Sequence, residues 1–304
     1  MVEKIDKKIE LKIEKEFQEF LDYMKAEKNA SNATITSYTT DFKIFLDFLV
    51  KNNIPTDTSE FDTPHMRRYT AYLKNEKKYA NATIRRKINS LRSFFNFLVS
   101  QDYIIRSPMR AITAPPKEKR LPKYFTVEQL KRLFETAKNS REPYALRDYM
   151  FIKIIAKCGL RRSEAIKLNF SDADFDKNII KVKGKGRKER VVPIDNELSD
   201  ELFIYLQSRL PLKNEAMFIN SAGNRINAAK AQQIFTKLMQ KAGLANTGLT
   251  LHSLRHSYAT YLVKSGTDIS KVQKLLGHED IGTTIVYTHT NVEDLREDIE
   301  QCKW

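Results

Sequence analysis

Four separated stretches in the second half of the chain carry side chains suited to holding and attacking a phosphodiester. Gly159-Leu160-Arg161-Arg162-Ser163-Glu164 places an arginine at a helix junction. A basic, glycine-containing turn, Gly184-Lys185-Gly186-Arg187-Lys188, offers Lys185. His252-Ser253-Leu254-Arg255-His256 sets His252 and Arg255 three residues apart, so both project from one side of a helical turn. Leu275-Leu276-Gly277-His278 is followed nine residues later by Tyr287, within Ile285-Val286-Tyr287-Thr288-His289. Attack on a phosphodiester adds negative charge to its non-bridging oxygens. Guanidinium groups hold such oxygens bidentately without losing their own charge. A tyrosine hydroxyl, with a free pKa near ~10, attacks at neutral pH only beside a base or in cationic surroundings. A single histidine or tyrosine is ordinarily a packing residue; the signal lies in the combination and its order.

These groups need a scaffold, and the hydropathy pattern supplies a mixed one. Thr126 with Gln129 forms a capping box that opens a helix. A long helix from about Glu142 ends near Cys158-Gly159, where glycine is a common stop. Two β-branched runs, Ile179–Lys183 and Glu189–Ile194, flank the basic turn and read as a hairpin. Helices follow over about Leu198–Arg209, Ala228–Ala242, Leu251–Lys264 and Ile269–Leu276, then a short segment around Tyr287 and a final helix from Val292. The first half is helical throughout. Phe17, Phe20, Leu21 and Met24 share one helix face, and a second helix from near Ser31 carries Tyr38, Phe42, Phe45, Leu46 and Leu49. Pro55 and Pro64 bracket a loop and the start of a third helix with Met66, Tyr69, Tyr72 and Leu73; a fourth runs from about Asn81 to Val99. Asn32-Ala33-Thr34-Ile35 is repeated as Asn81-Ala82-Thr83-Ile84. Shared helix-start signals account for the repeat better than a duplication, and both turns offer backbone N–H groups and hydroxyls to phosphates. Thr113–Lys123 has three prolines and five charges without apolar periodicity, an extended linker. The expected organisation is therefore a helical domain over 1–112, a linker over 113–123 and a catalytic domain over 124–304. The fold class is mainly α with a small β-sheet: an all-helical N-terminal domain followed by an α+β domain.

Bulk properties agree with two domains and a polyanionic partner. A chain of 304 residues exceeds one compact domain, and 41% apolar residues suffice to bury cores, which excludes a disordered or fibrous chain. Lys and Arg number 53 against 38 Asp and Glu, a formal charge of +15, so nucleic acid is the partner to consider first. Arg67, Arg68, Arg85, Arg86, Lys87 and Arg92 cluster near the third and fourth helices without adjacent acids, and Arg187 and Lys188 sit in the hairpin turn. All eight are candidate DNA contacts, with a solvated helix face as the ordinary alternative. Two cysteines cannot build a disulfide framework, and Cys158 lies in an apolar run as a core residue. The N-terminal stretch lacks the apolar segment of a signal peptide, and no run approaches membrane-spanning length. A cytoplasmic location and no membrane partner are expected.

The motifs GLRRSE, IIKVKGKGRKERVVPI, HSLRHSYAT and LLGHEDIGTTIVYTH span nearly the whole second domain and closely resemble the tyrosine recombinase/integrase family, in its Xer-type branch. The helical first half resembles that family's core-binding domain, a DNA clamp. The resemblance implies a duplex recombination site as substrate and a catalytic set of Arg161, Lys185, His252, Arg255, His278 and the nucleophile Tyr287. Arg161, rather than Arg162, matches the motif because it directly follows Gly-Leu, and Glu164 fits the family's structural acid. In that scheme the arginines and His278 hold non-bridging oxygens and His252 takes the tyrosine proton. Lys185, on its hairpin, protonates the leaving 5′ oxygen. The product is a 3′-phosphotyrosyl bond that keeps the energy of the broken linkage, so rejoining through a Holliday junction needs no ATP, metal or other cofactor. The resemblance also implies a tetrameric synapse in which the tail over 292–304, ending in Trp304, docks on a neighbouring subunit, with packing of Trp304 on its own domain as the alternative. A second recombinase or accessory factor fits the same scheme.

Other readings stay open on the sequence. His252 and His256 are four apart on a helix, a zinc-binding spacing, but Arg255 stands between them and the glutamate of a metalloprotease helix is missing. Asp172, Asp174 and Asp176 offer a metal-dependent nuclease site, although a solvated turn explains them better. A non-catalytic DNA-binding homologue and a type IB topoisomerase-like nicking-closing enzyme complete the set.

Overall fold

The computed structural model describes residues 2–116, 123–184, 189–212 and 214–277, with side chains from Lys12 onward. The chain divides into two compact units, Met1–Arg120 and Leu121–Trp304.

The first unit contains α1 (Val2–Ala26), α2 (Asn32–Lys51), α3 (Thr63–Asn75) and α4 (Asn81–Ser100). Capping residues set two of the starts. Ser31 accepts a hydrogen bond from the Thr34 N–H, and Asp62 accepts from the His65 N–H with Pro64 in the first turn of α3. The two Asn-Ala-Thr-Ile segments are thus both first turns of helices, but Ala80 ahead of α4 has no side-chain oxygen to cap with. Aromatic rings fill the core between the helices. Phe17 stacks on Phe42 with centroids 3.7 Å apart, and Phe94 meets both edge-on at 5.5 Å. Phe45, Tyr69 and Phe95 continue this core toward α3.

The second unit begins with α5 (Val127–Lys138), opened by the capping box of Thr126 and Gln129. Its central element is α6 (Ala145–Cys158), buried on nearly every face against α5, α8 and α10. The helix starts at Ala145 rather than Glu142, because Tyr144 immediately before it is left-handed, at φ 68°. It ends at Gly159, at φ 60°, where a Cβ would lie 2.3 Å from the Tyr258 ring. Glycine is required there by both conformation and space. Cys158 is fully buried, which pushes its thiol well above the usual range and leaves it a packing residue.

After α7 (Arg162–Lys167), strands β1 (Ala173–Asp174), β2 (Ile179–Lys183) and β3 (Glu189–Pro193) form an antiparallel sheet in the order β1-β2-β3. Val182 pairs with Arg190 and Lys183 with Glu189 at the turn end of the hairpin. Strand β1 escapes sequence reading because two residues carry no periodicity. The solvated-turn reading of the aspartates does not hold for Asp172, which is buried and accepts from the Asn169 N–H at 2.7 Å, closing a 3₁₀ turn. Four helices complete the described part: α8 (Asn196–Gln207), α9 (Ala228–Lys241), α10 (Leu251–Lys264) and α11 (Ile269–Leu276). The expected Leu198 start of α8 moves back to Asn196, since Asp195 caps it by accepting from the Leu198 N–H at 2.8 Å. A buried lysine, Lys153, fastens α6 to α8 through Glu197, Glu201 and the Tyr149 hydroxyl. Among the described residues, no helix is long and apolar enough to cross a membrane.

Candidate active site

The site is organised around one buried carboxylate, Glu164, in the first turn of α7. Arg161 is the N-cap of that helix. Its backbone N–H donates to Glu164 Oε2 and its Nη1 donates to Oε1, both at 2.8 Å. From β3, Arg190 reaches the same carboxylate bidentately, Nη1 to Oε1 at 3.0 Å and Nη2 to Oε2 at 2.8 Å. From α10, Arg255 places Nη1 3.7 Å from Oε2. Burial alone would raise the Glu164 carboxyl. The hydrogen bonds from Arg190 and from the Arg161 backbone, with the charge of Arg190, outweigh it and hold the carboxyl down at about 2. It is therefore ionised throughout the physiological range, and one negative charge faces three guanidiniums.

The same three arginines also take successive carbonyls at the end of α11. Arg190 Nε donates to Leu275 O at 2.8 Å, Arg255 Nη2 to Leu276 O at 2.6 Å, and Arg161 Nη2 to Gly277 O at 2.9 Å. The last carbonyls of a helix lack intrahelical partners and form the negative end of its dipole, so cations belong there. Arg255 Nη1 in addition donates to Gly159 O at 2.6 Å, which ties the end of α6 to the cluster. Burial first, and the charge of Arg161 second, lower the Arg255 guanidinium to about 10, still charged at neutral pH. The Arg161 side chain is 37% exposed and that of Arg255 only 3%. Arg161 is thus the more accessible of the two, and Arg255 is buried.

His252 is exposed in the first turn of α10, one turn ahead of Arg255. Its ring lies edge-on to His256 with centroids 4.6 Å apart. His256 is half-buried, and burial followed by the charge of Arg255 lowers its pKa, favouring the neutral ring. Among the described residues, no three His, Cys, Asp or Glu side chains are grouped to hold a metal. The structure thus brings together Arg161, Arg255 and Glu164, with His252 on the same helix as Arg255. Lys185, His278, Tyr287, Arg187 and Lys188 lie outside the described residues. The final helix expected from Val292 and the tail lie outside them as well.

Sequence reasoning missed Arg190. A signal existed in the strand period: position 190 shares a face with the buried Val192, while Glu189 and Val191 point to solvent. An arginine on the inward face of a strand needs an acid or carbonyls within reach.

The basic cluster of the first unit is corrected in two respects. It has a matching acid after all, Asp41 on α2, which is fully buried and paired with both Arg86 and Lys87. Lys87 is itself 2% exposed, with Nζ 2.8 Å from Asp41, so it faces the core rather than a phosphate. Three consecutive residues on a helix point 100° apart, so their side chains leave in different directions, and here Lys87 is the one turned inward. Arg85 and Arg92 are half-buried and donate to the carbonyls of Pro115 and Ile112, fastening the chain that leaves α4. Arg67 and Arg68 are exposed on α3, and the Arg86 side chain is 46% exposed.

Residues 123–294 match the phage integrase family, and residues 17–102 match the N-terminal SAM-like domain of phage integrases. The chain is 33% identical over 287 residues to tyrosine recombinase XerC of Mannheimia succiniciproducens, covering 94% of this chain and 96% of the relative. The chain belongs to the tyrosine recombinase family, in its Xer-like branch. This recombinase is also 31% identical over 284 residues to tyrosine recombinase XerD of Staphylococcus epidermidis, covering 92% of this chain and 95% of the relative. Among solved structures it is similar to the XerH site-specific recombinase bound to palindromic difH substrate in a post-cleavage complex. The TM-score there is 0.71 and the identity 25%, covering 89% of this chain and 80% of that one. Membership makes the recombinase a site-specific enzyme that breaks and rejoins DNA. The helical first unit with a mostly helical second unit and a small antiparallel sheet is the architecture expected from the sequence.

Proposed function

We propose that the recombinase cuts and rejoins a duplex recombination site through a 3′-phosphotyrosyl bond to Tyr287. In this reading Arg161 and Arg255 hold the non-bridging oxygens and stabilise the charge that develops on them. His252 takes the tyrosine proton, Lys185 protonates the leaving 5′ oxygen and His278 holds a further oxygen. Strand exchange proceeds through a Holliday junction in a tetramer joined by the tail over 292–304, and no ATP or metal is consumed. Residues 1–112 and 124–304 act as two DNA-gripping domains joined by the linker over 113–123. Chromosome-dimer resolution and mobile-element integration or excision both use this exchange. The reading is carried by the joining of Arg161 and Arg255 to one carboxylate and to the end of α11. His278 is the residue that follows, and Tyr287 comes nine residues later. The XerH structure was solved on its difH substrate after cleavage, which accords with it.

A plasmid with two copies of the target site separates this proposal from its neighbours. The recombinase, with its partner recombinase where one is needed, is expected to give resolved circles, and removal of residues 292–304 to lower that yield while cleavage persists. Relaxation of supercoils without resolved circles would assign a nicking-closing enzyme instead, and binding with neither product a non-catalytic homologue.

Among the first-unit residues, exposed Arg67 and Arg68 are proposed to meet phosphates, with Arg85, Arg86 and Arg92 flanking them. Replacing Arg67 and Arg68 together by alanine should reduce the salt slope of log Kobs by about 1 for each phosphate that is no longer neutralised. Lys87→Met should leave the slope alone and instead cost roughly 3 kcal/mol of stability, because Asp41 stays buried with one partner fewer. Titrations at several salt concentrations with parallel melts measure both. An unchanged slope for the double variant would remove α3 from the interface.

A further inference from the structure

The recombination reading gives no task to Arg190, yet this residue is held in the site by three aimed hydrogen bonds from one guanidinium. We propose that Arg190 is a positioning residue of the active site, a strut that locks the hairpin, the Glu164 carboxylate and the end of α11 into one unit. The proposal rests on the reading above.

The geometry argues for positioning. Nη1 and Nη2 each donate to one oxygen of Glu164, and Nε gives its single hydrogen to the Leu275 carbonyl. The side chain is only 13% exposed. A Cβ added at Gly277 would come 3.3 Å from both Cδ and Nη1 of Arg190, so the strut packs directly beneath the last residue before His278. At its other end Arg190 pairs with Val182 in β2, one position inside the final described pair of the hairpin whose turn carries Lys185.

Two consequences follow from this placement. First, Glu164 is held by both oxygens, and it in turn anchors the backbone and Nη1 of Arg161. The orientation of Arg161, the more exposed guanidinium, is thereby relayed from Arg190. Second, the hairpin base, α7 and α11 are linked by one planar group with three aimed donors. A lysine ammonium is a point charge without that fork, so charge alone cannot reproduce the link.

The test uses the full chain and a nicked duplex carrying the target site, with Arg190→Gln and Arg190→Lys beside wild type. The readouts are the single-turnover rate of covalent complex formation across pH, DNA affinity and thermal unfolding. Both variants are expected to form the complex roughly 10- to 100-fold more slowly, the range seen when groups that orient a reactive shell are removed. DNA affinity should stay within about twofold, since ground-state binding is left in place. In Arg190→Gln the acid limb of the rate profile should move to higher pH, because Glu164 loses the cation and two of the donors that keep it ionised. Millimolar guanidinium should restore part of the rate of Arg190→Gln, and equal sodium chloride should not. Should Arg190→Gln fail to fold, Arg190→Lys carries the test on rate alone. Rates within twofold of wild type in a folded variant would overturn the proposal. So would Arg190→Lys matching wild type at every pH, since charge alone would then suffice. If wild type itself formed no covalent complex on a bound site, the recombination reading would fail, and this one with it.

Discussion

Arg161→Ala is expected to slow DNA cleavage by roughly 100- to 1,000-fold, the loss associated with removing one donor preorganised against developing charge. The structure explains why this arginine should carry so much of the rate. Its side chain is 37% exposed against 3% for Arg255, so it is the more accessible of the two to a phosphate. Glu164 and the Gly277 carbonyl already fix its guanidinium, and little reorganisation remains at the moment of reaction. The fold should tolerate the change, because Glu164 keeps Arg190 on both oxygens and Arg255 nearby. DNA affinity should therefore fall by a few-fold at most while the single-turnover rate collapses, the pattern of an interaction made mainly in the transition state. Arg161→Lys should recover little of the rate, as an ammonium cannot hold two oxygens in a fork. Single-turnover cleavage within threefold of wild type would take Arg161 out of the reaction.

Glu164→Ala should do more damage to the fold than any other change in the site. It leaves three guanidiniums gathered without their common anion, two of them largely buried, at a cost of about 3–5 kcal/mol. The pH dependence gives this prediction a sign. The folded carboxyl is held at about 2 against an ordinary 4.5, so it binds protons less readily folded than unfolded. Its contribution is fully present above about 4.5 and is lost as pH falls toward 2. The stability gap between wild type and Glu164→Ala should accordingly narrow on acidification through that window. Denaturant melts between neutral and acid pH measure the gap, and two curves that stay parallel would mean the carboxylate is not what holds the arginines.

Most of the fold was legible because its boundaries are set by local chemistry. Ser31, Thr126 and Gly159 announce helix ends through capping groups or a left-handed turn, and Leu251–Lys264 and Ile269–Leu276 were readable to the residue. The misplaced starts of α6 and α8 have local causes too, a left-handed Tyr144 and an unrecognised cap at Asp195. What sequence could not show are partners distant along the chain. Asp41 lies 46 positions before Lys87, and Glu164 lies 26 before Arg190. A charge triplet such as Arg85-Arg86-Lys87 reads as one patch in sequence, yet Arg85 serves the Pro115 carbonyl while Arg86 and Lys87 pair with one buried carboxylate, Asp41. The candidate catalytic groups were found by motif and order. That Arg161 and Arg255 share one carboxylate, and that three arginines cap successive carbonyls of α11, emerges only when β3, α7, α10 and α11 meet.

The measurement that bears most directly on the central claim is covalent trapping at Tyr287. A nicked duplex carrying the target site, identified from a random pool or from host genomic DNA, is incubated with wild type and with Tyr287→Phe in buffer containing EDTA. The account predicts a denaturant-resistant protein–DNA band with wild type and none with Tyr287→Phe. A band that persists in Tyr287→Phe would assign a different nucleophile, and a wild-type band that appears only when divalent metal replaces EDTA would contradict the metal-free mechanism.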